Sequence, residues 1–391
     1  MKSVEQESEG VRSQSQKPEV KFPCSRFLPS NLMLPFVTPD FCLLSSYLCL
    51  SSARMLNVNL SFATPIFAAG KPVGLSPILT AENIAPMDAY TKVDNISLIV
   101  QPGDSFFPIV DAIDGATSSI KMTIFRMNDP IVREAMTYAV SRGVKVQALV
   151  APAAKGWTKR NKKLSEELSK VGIEVRVPRA RKETIKRYHY KIMTIDNQSS
   201  LILTFNPTQK NLHYARDFGL LVKDEEIATE LSRLFDADWA GEVFKPGDLP
   251  LVISPNNSRQ KMIELLSSAE RSIRILDAKV HDQQAIGVLL RKASAGCSIK
   301  IISEDTSYDG VIPNYHVRKL ARYKLHAKCI VVDGSRFFVG SQNIRPVSLD
   351  RRREVGLIVE DHALAQKIER VFDEDWENAT EMRTVSEASA V

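Results

Sequence analysis

The sequence predicts an α/β fold of two duplicated α/β/α sandwich halves with mixed, mainly parallel sheets. The first observation is an internal repeat, because the segment that starts at Leu98 aligns without gaps with the segment that starts at Leu251. The second is an alternation within each copy, where a β-rich apolar run is followed by a run of helical period, as over 105–118 and 129–142. Such alternation is typical of layered α/β folds.

A second stretch of the repeat carries the polar residues. His189 aligns with His326 and Lys191 with Lys328, at an offset of 137 residues instead of 153. The other aligned pairs are Asp196 with Asp333, Asn206 with Asn343, Asp217 with Glu354, and Trp239 with Trp376. The offset falls because the first copy contains a longer insert. The chain is therefore a duplication of one domain-sized unit, too long to be a solenoid repeat.

We expect a leader over residues 1–95, a first half over 96–248 and a second half over 249–391. Two uncharged apolar runs in the leader, 41–53 and 55–70, are shorter than the ~20 residues that a membrane-spanning helix needs. Their flanks resemble those of a signal peptide or indicate a start placed too early, and a weakly structured leader is the alternative. Export or membrane association is favoured over a cytoplasmic location.

Positive charge is concentrated in the insert. The chain as a whole has a net charge of +6, whereas thirteen Lys and Arg residues between Lys155 and Lys191 accompany only four Glu residues. Two interpretations are open: an anion-attracting surface, or an ordinary solvated face.

The segments "HYKIMTID" (189–196) and "HAKCIVVD" (326–333) share the pattern His-x-Lys-x4-Asp. Because side chains alternate along a strand, the His and the Lys of each motif lie on one face. One match alone is weak evidence, since a snorkelling Lys beside a core His also explains it. Two matches at equivalent points of a repeat are strong evidence for a shared chemical role.

These motifs resemble those of the phospholipase D superfamily, whose signature continues with Gly-Ser-x-Asn. The second copy has the whole signature, with Gly340, Ser341 and Asn343. The first copy has Leu203 and Thr204 in place of Gly-Ser. The resemblance covers nearly everything after residue 96 and is greatest to bacterial phospholipases D and cardiolipin synthases. It implies two halves related by a pseudo-twofold axis, with one shared active site.

The resemblance also implies how the four motif residues act. One of His189 and His326, neutral, attacks phosphorus and becomes a phosphohistidine, while the other donates a proton to the leaving alkoxide. The sequence leaves open which of them attacks. Lys191 and Lys328 stabilise negative charge on the nonbridging oxygens. No metal and no cofactor are predicted.

Further residues are expected to bind the phosphate. Asn206, Asn343, Ser341 and Thr204 can donate hydrogen bonds to it. We expect Gly340 to let the backbone approach the phosphate closely. Leu203 cannot do the same in the first copy.

Four acidic residues are expected to hold the motifs in place. Asp217 and Glu354 each lie 28 residues after the histidine of their own copy, and the resemblance makes them the carboxylates that orient the imidazoles. Asp196 and Asp333 end their strands, and we assign them structural roles in turns.

The leading functional hypothesis is a phospholipase D-type phosphodiesterase acting on phospholipids at a membrane surface, possessing transphosphatidylation activity. The alternatives are a cardiolipin synthase-type transferase, a nuclease of the same family, and a protein that only binds acidic lipid. The nuclease is less favoured because few aromatic residues interleave with the basic insert, namely Trp157, Tyr188 and Tyr190. The run Arg351–Arg353 contacts an anionic head group or belongs to a solvated loop. No obligate protein partner is evident.

Overall fold

A computed structural model describes residues 95–152, 154–179, 184–304 and 313–381. These residues belong to one compact unit, Pro77–Val391. Nearly all of the predicted leader, and both of its apolar runs, lie outside the described residues. Among the described helices, none is long and apolar enough to cross a membrane.

The first half of the described chain contains eight strands and five helices. The strands are β1 (Ile96–Gln101), β2 (Ser119–Ile124), β3 (Lys145–Val150), β4 (Glu174–Arg176), β5 (Arg187–Tyr188), β6 (Ile192–Ile195), β7 (Ser199–Leu203) and β8 (Ala215–Val222). The helices are α1 (Phe107–Asp114), α2 (Pro130–Ser141), α3 (Thr158–Lys170), α4 (Gln209–Tyr214) and α5 (Glu225–Ala240).

The second half of the described chain repeats this order. The strands are β9 (Leu251–Ser254), β10 (Ser272–Asp277), β11 (Ser298–Ile302), β12 (Tyr315–Lys319), β13 (Lys324–Leu325), β14 (Lys328–Val332), β15 (Arg336–Gly340), β16 (Arg352–Glu360) and β17 (Thr380–Glu381). The helices are α6 (Ser258–Ser267), α7 (Gln283–Ser294), α8 (Pro346–Asp350) and α9 (His362–Glu377).

The two sheets have the same topology. In the first, the strand order is β1-β8-β7-β6-β2-β3-β4, and in the second it is β9-β16-β15-β14-β10-β11-β12, followed by β17. The duplicated α/β architecture with mixed sheets is thus confirmed. The sheets are not mainly parallel, however: the contiguous run β6-β7-β8 and its counterpart β14-β15-β16 pair antiparallel, because short turns join these strands.

Helices cover both faces of each sheet. In the first half α1, α2 and α3 pack on the outer face, where their buried residues include Ile109, Met136 and Leu168. Helices α5 and α9 pack on the inner faces, and one apolar core there contains residues of both halves, including Leu231 and Phe372. The repeated helix starts share a capping residue, since Asp129 caps α2 and its aligned residue Asp282 caps α7.

The two short strands that precede the motif histidines cross between the halves. β5 of the first half pairs in parallel with β16 of the second, and β13 of the second half pairs in parallel with β8 of the first. Each crossing strand therefore delivers its histidine to the last strand of the opposite half. This exchange creates a single site from the two motifs.

Two buried ion pairs fasten the crossing. Arg216 on β8 donates two hydrogen bonds to Asp375 on α9, at 2.6 and 3.0 Å. Its repeat counterpart Arg353 on β16 donates two to Asp238 on α5, at 3.1 and 3.2 Å. Both pairs join the halves and are buried, so removing one partner leaves an uncompensated charge in the interface.

Candidate active site

Each motif histidine is held by a carboxylate of the other half. The backbone N–H of His189 donates to the carbonyl of Arg353, which places the imidazole beside Glu354 with Nδ1 and Oε2 3.1 Å apart. In the same way, the N–H of His326 donates to the carbonyl of Arg216, and Nδ1 of His326 lies 2.8 Å from Oδ1 of Asp217.

Asp217 and Glu354 thus occupy the predicted histidine-orienting position, but crosswise. The sequence reasoning linked each carboxylate to the histidine of its own copy. The exchanged strands β5 and β13 decide otherwise, because they carry each histidine to the opposite half. With Nδ1 donating to a carboxylate, the lone pair of each ring is on Nε2, which is the nitrogen available for attack.

The two carboxylates differ in how well they are satisfied. Asp217 also accepts hydrogen bonds from Thr204 Oγ1 at 2.6 Å and Asn211 Nδ2 at 3.0 Å. Burial opposes ionisation of Asp217, yet His326 and these donors keep its pKa below the ordinary value. Oε1 of Glu354 is buried without a hydrogen-bond partner, and burial raises the pKa of Glu354 to about 7.

The two lysines line the same site from below. Lys191 and Lys328 are 2% and 3% exposed, and each ammonium donates to the backbone carbonyl of its own motif histidine. Burial lowers the pKa of both lysines, and nearby cations lower it further. The ring of Phe125 lies against this group, with its centroid 4.5 Å from the His189 ring and 5.2 Å from Lys191 Nζ.

Both histidines have lowered pKa values. Burial lowers the pKa of His326 to about 4, with Lys328 contributing, although Asp217 opposes the shift. The pKa of His189 lies well below 6.5 because of burial and the neighbouring charge of Lys191. Both imidazoles are therefore neutral in the empty site at pH 7, the form that a nucleophile requires.

The predicted phosphate ligands have varied surroundings. Asn343 Nδ2 donates to Asp277, and Asn206 is buried with its amide oxygen unpartnered. The hydroxyl of Ser341 bonds to the backbone of Val355, at 3.1 Å from its nitrogen. The hydroxyl of Thr204 is used to hold Asp217, so in this structure it acts on the carboxylate and not on a phosphate.

Gly340 is explained by packing. It lies opposite Gly356, and an ideal Cβ added to it would lie 2.5 Å from the Gly356 Cα and 2.6 Å from the ring of Phe338. In the first half Leu203 lies opposite Gly219 and fills the equivalent space. The expected close approach of backbone to phosphate at Gly340 is therefore wrong, because protein atoms already occupy that space.

Asp196 and Asp333 occupy tight turns, each with φ of +54°. Asp196 accepts from the backbone N–H groups of Thr117, Ser118 and Ser119, at 2.7 to 2.8 Å. Asp333 accepts from the three equivalent N–H groups at the start of β10. Although burial opposes it, these hydrogen bonds lower the pKa of Asp196. Both residues tie the end of a motif strand to the neighbouring strand.

Sequence reasoning missed several residues of the site. Asp277 is buried beside Lys328, and burial raises its pKa to about 6. The repeat offered a signal, since Ile124 stands at the aligned position of the first copy. The run Arg351–Arg353 is not a solvated loop: Arg352 and Arg353 begin β16, Arg353 is buried, and Arg352 lies 3.6 Å from Glu354.

A family model described as "Cardiolipin synthase, PLD-like domain" matches residues 109–239 and 262–376. The chain belongs to the phospholipase D-like family. The two matched segments contain one histidine–lysine motif each, so this phospholipase D-like protein has the duplicated domain within a single chain.

Curated relatives of this phospholipase D-like protein are named polyphosphate kinases. Polyphosphate kinase 1 of Chlorobaculum tepidum is 30% identical over 310 residues, which cover 69% of this chain and 42% of the relative. Polyphosphate kinase of Mycolicibacterium gilvum is 26% identical over 363 residues, which cover 81% of this chain and 48% of the relative. The chain spans about half the length of these relatives.

Two solved structures share the fold. Polyphosphate kinase from Porphyromonas gingivalis superposes with a TM-score of 0.60 at 18% identity, over 75% of this chain and 50% of the other. Phosphatidylserine synthase from Haemophilus influenzae superposes with a TM-score of 0.55 at 14% identity, over 74% of this chain and 88% of the other.

Proposed function

We propose that this phospholipase D-like protein cleaves the head-group phosphodiester of phospholipids through a covalent phosphohistidine, with water or an alcohol as acceptor. The observation that carries the proposal is the reciprocal pairing of His189 with Glu354 and of His326 with Asp217 across the two halves. This pairing supplies two imidazoles whose Nε2 atoms are available in one site. The description of the matching family as cardiolipin synthase supports an alcohol as one acceptor.

The reaction has two displacements at phosphorus. In the first, Nε2 of one histidine forms a bond to phosphorus, and the bond from phosphorus to the head-group oxygen breaks. The second histidine gives its proton to that oxygen, so the head group leaves as an alcohol. In the second, this histidine takes a proton from water or an acceptor alcohol, whose oxygen displaces the phosphohistidine. Lys191 and Lys328 stabilise the charge that builds on the nonbridging oxygens.

The proton of the general acid is coupled to substrate binding. Neighbouring lysines help to keep both histidines neutral in the empty site. An anionic phosphate placed between the lysines offsets their charge and raises the pKa of the histidine it contacts. The acid form of that histidine is then favoured when a substrate is present.

A second candidate function is phosphoryl transfer to or from polyphosphate. The curated relatives named polyphosphate kinase favour it, at 30% and 26% identity. A phosphohistidine serves this reaction as well, because only the leaving group and the acceptor differ.

Product analysis with purified protein tests these proposals. Wild type, His189→Asn and His326→Asn are incubated with mixed phospholipids plus ethanol and, separately, with polyphosphate plus a nucleoside diphosphate. We expect phosphatidic acid and phosphatidylethanol from wild type, and none from either variant. Nucleoside triphosphate formed in place of these lipids would select the second candidate. Unchanged turnover in a variant that folds normally would exclude the phosphohistidine route.

A further inference from the structure

Four arginines border the His189 side of the site. Arg126 follows β2, Arg187 lies in β5, Arg345 precedes α8, and Arg352 begins β16. All four are half-buried, and Arg187 and Arg352 are neighbours in the parallel register. Burial and the charge of Arg187 lower the pKa of Arg126, while burial and the charge of Arg352 lower the pKa values of Arg187 and Arg345. We call these residues the arginine rim.

The rim has little neutralising charge of its own. Arg352 lies 3.6 Å from Glu354. In the described part of the chain, no carboxylate forms an ion pair with Arg126, Arg187 or Arg345. The Nε atoms of Arg126 and Arg345 are buried without hydrogen-bond partners. Like charges held together and partly desolvated are costly, and an anion that binds among them removes that cost.

The rim is confined to one side of the pseudo-twofold axis. The repeat alignment gives the positions that correspond to Arg126, Arg187, Arg345 and Arg352 as Lys279, Lys324, Thr208 and Ala215. Both halves keep a histidine, a lysine and a carboxylate. Because phosphorus chemistry uses those shared groups, the rim serves something that only one side of the site needs.

The basic insert fixes the rim in position. The guanidinium of Arg126 lies over the rings of Phe125 and Trp157, and Arg126 donates to the carbonyl of Lys155 at 3.1 Å. The buried amide of Asn161, on α3, donates to the carbonyls of Phe125 and Ala151 at 3.0 and 2.9 Å. Since Phe125 contacts His189, α3 is tied directly to the edge of the site.

The aromatic residues of the insert do not offer a surface for base stacking. Tyr188 and Tyr190 are 4% and 2% exposed, and the Tyr190 hydroxyl donates to Asp238. The guanidinium groups of Arg126 and Arg160 lie near the Trp157 ring, at 5.8 and 5.2 Å from its centroid. The rim therefore suits phosphate groups without bases, which guanidinium groups bind in a bidentate manner.

We propose that the arginine rim is a second phosphate subsite, which holds a phosphate group beside the one that reacts with the histidines. The substrate or acceptor then carries at least two phosphate groups. These belong either to a phosphoanhydride chain or to a phospholipid whose head group bears an additional phosphate monoester. This inference rests on the proposed phosphohistidine function and identifies its substrate class.

Calorimetric titration with tripolyphosphate and with orthophosphate tests the subsite. Arg126→Gln and Arg345→Gln remove rim charges, and Lys279→Gln and Lys324→Gln are matched controls at the corresponding positions of the other half. We expect wild type to bind tripolyphosphate at least ~10-fold more tightly than orthophosphate, and each Arg variant to lose about 10-fold or more. The controls should change less than ~3-fold.

A lipid arm distinguishes the source of the second phosphate. Sedimentation with phosphatidylcholine vesicles that contain phosphatidylinositol 4-phosphate or phosphatidylinositol compares two head groups that differ by one phosphate. Preference for the phosphorylated lipid that is lost in Arg345→Gln supports a lipid source, and arginine-dependent binding of tripolyphosphate alone supports a phosphoanhydride source.

Several outcomes would overturn the subsite: equal affinity for tripolyphosphate and orthophosphate, equal losses in the Lys controls, or oligothymidine binding as tight as tripolyphosphate binding. The subsite and the proposed function fail separately. Arginine-dependent binding without any turnover removes the function and keeps the subsite. Normal turnover with unchanged binding in the Arg variants removes the subsite alone.

Discussion

Asp217 of the first half holds His326 of the second, with Oδ1 2.8 Å from Nδ1. The partners are 109 residues apart in the chain and belong to different copies of the repeat. The crossing strands β5 and β13 cause this arrangement, and they make each half dependent on the other for a functional histidine. A single half would present a histidine without its carboxylate.

Asp217→Asn should lower kcat by about 10²- to 10⁴-fold, because a neutral amide neither stabilises an imidazolium nor fixes its tautomer. Nitrogen NMR of the imidazoles provides a readout that separates this role from a general structural one. We expect the His326 tautomer to change and the His189 tautomer to remain.

Thr204→Val, which removes one donor to Asp217, should give a smaller loss of about 10-fold. Thr204→Ser keeps the hydroxyl and is the matched control. A change centred on His189 in the Asp217→Asn variant would contradict the crosswise pairing.

Glu354→Gln should alter how stability depends on pH. Between pH 4.5 and about 7 the folded state binds a proton at Glu354 that the unfolded state has lost, so wild-type stability falls as pH rises through this range. The raised pKa corresponds to about 3 kcal/mol at most.

Urea unfolding at pH 5 and pH 8 measures this effect. The stability of Glu354→Gln relative to wild type should be greater at pH 8 than at pH 5. Glu360→Gln, at the exposed end of the same strand, is the matched control. A relative stability of Glu354→Gln that decreases with pH would show that the site ionises Glu354 more readily than burial predicts.

Asp238→Asn should destabilise the fold by about 3 to 5 kcal/mol, since it leaves Arg353 charged, buried and poorly compensated. Asp236→Asn, two residues earlier on α5, breaks a surface pair with Lys121 and should cost less than about 1 kcal/mol. Chemical denaturation measures both. Similar costs for the two variants would argue against the buried ion pair as the joint between the halves.

Gly340→Leu should destabilise the second half by about 1 to 3 kcal/mol through overpacking against Phe338 and Gly356. Adding Phe338→Leu copies the Leu201 and Leu203 pair of the first half and should recover most of that loss. Thermal unfolding of the single and double variants checks this coupling. Additive destabilisation would mean that Gly340 has a role other than accommodating the Phe338 ring.

The sequence by itself determined the duplication, the α/β class and the catalytic motifs. These follow from local patterns, since the spacing of His189 and Lys191 recurs at His326 and Lys328, and alternation along a strand puts each pair on one face. The turn aspartates Asp196 and Asp333 could also be recognised, because their hydrogen bonds serve the strand ends that they terminate.

Only the tertiary structure decided which residues meet. Two identical spacings of 28 residues gave no means to distinguish pairing within a copy from pairing between copies. The difference depends on where β5 and β13 find a free strand edge, which is a property of both sheets together. Likewise, the arginine rim is assembled from four segments that are distant in sequence. Electrostatic repulsion among them exists only once the fold has brought them together, so no local pattern records it.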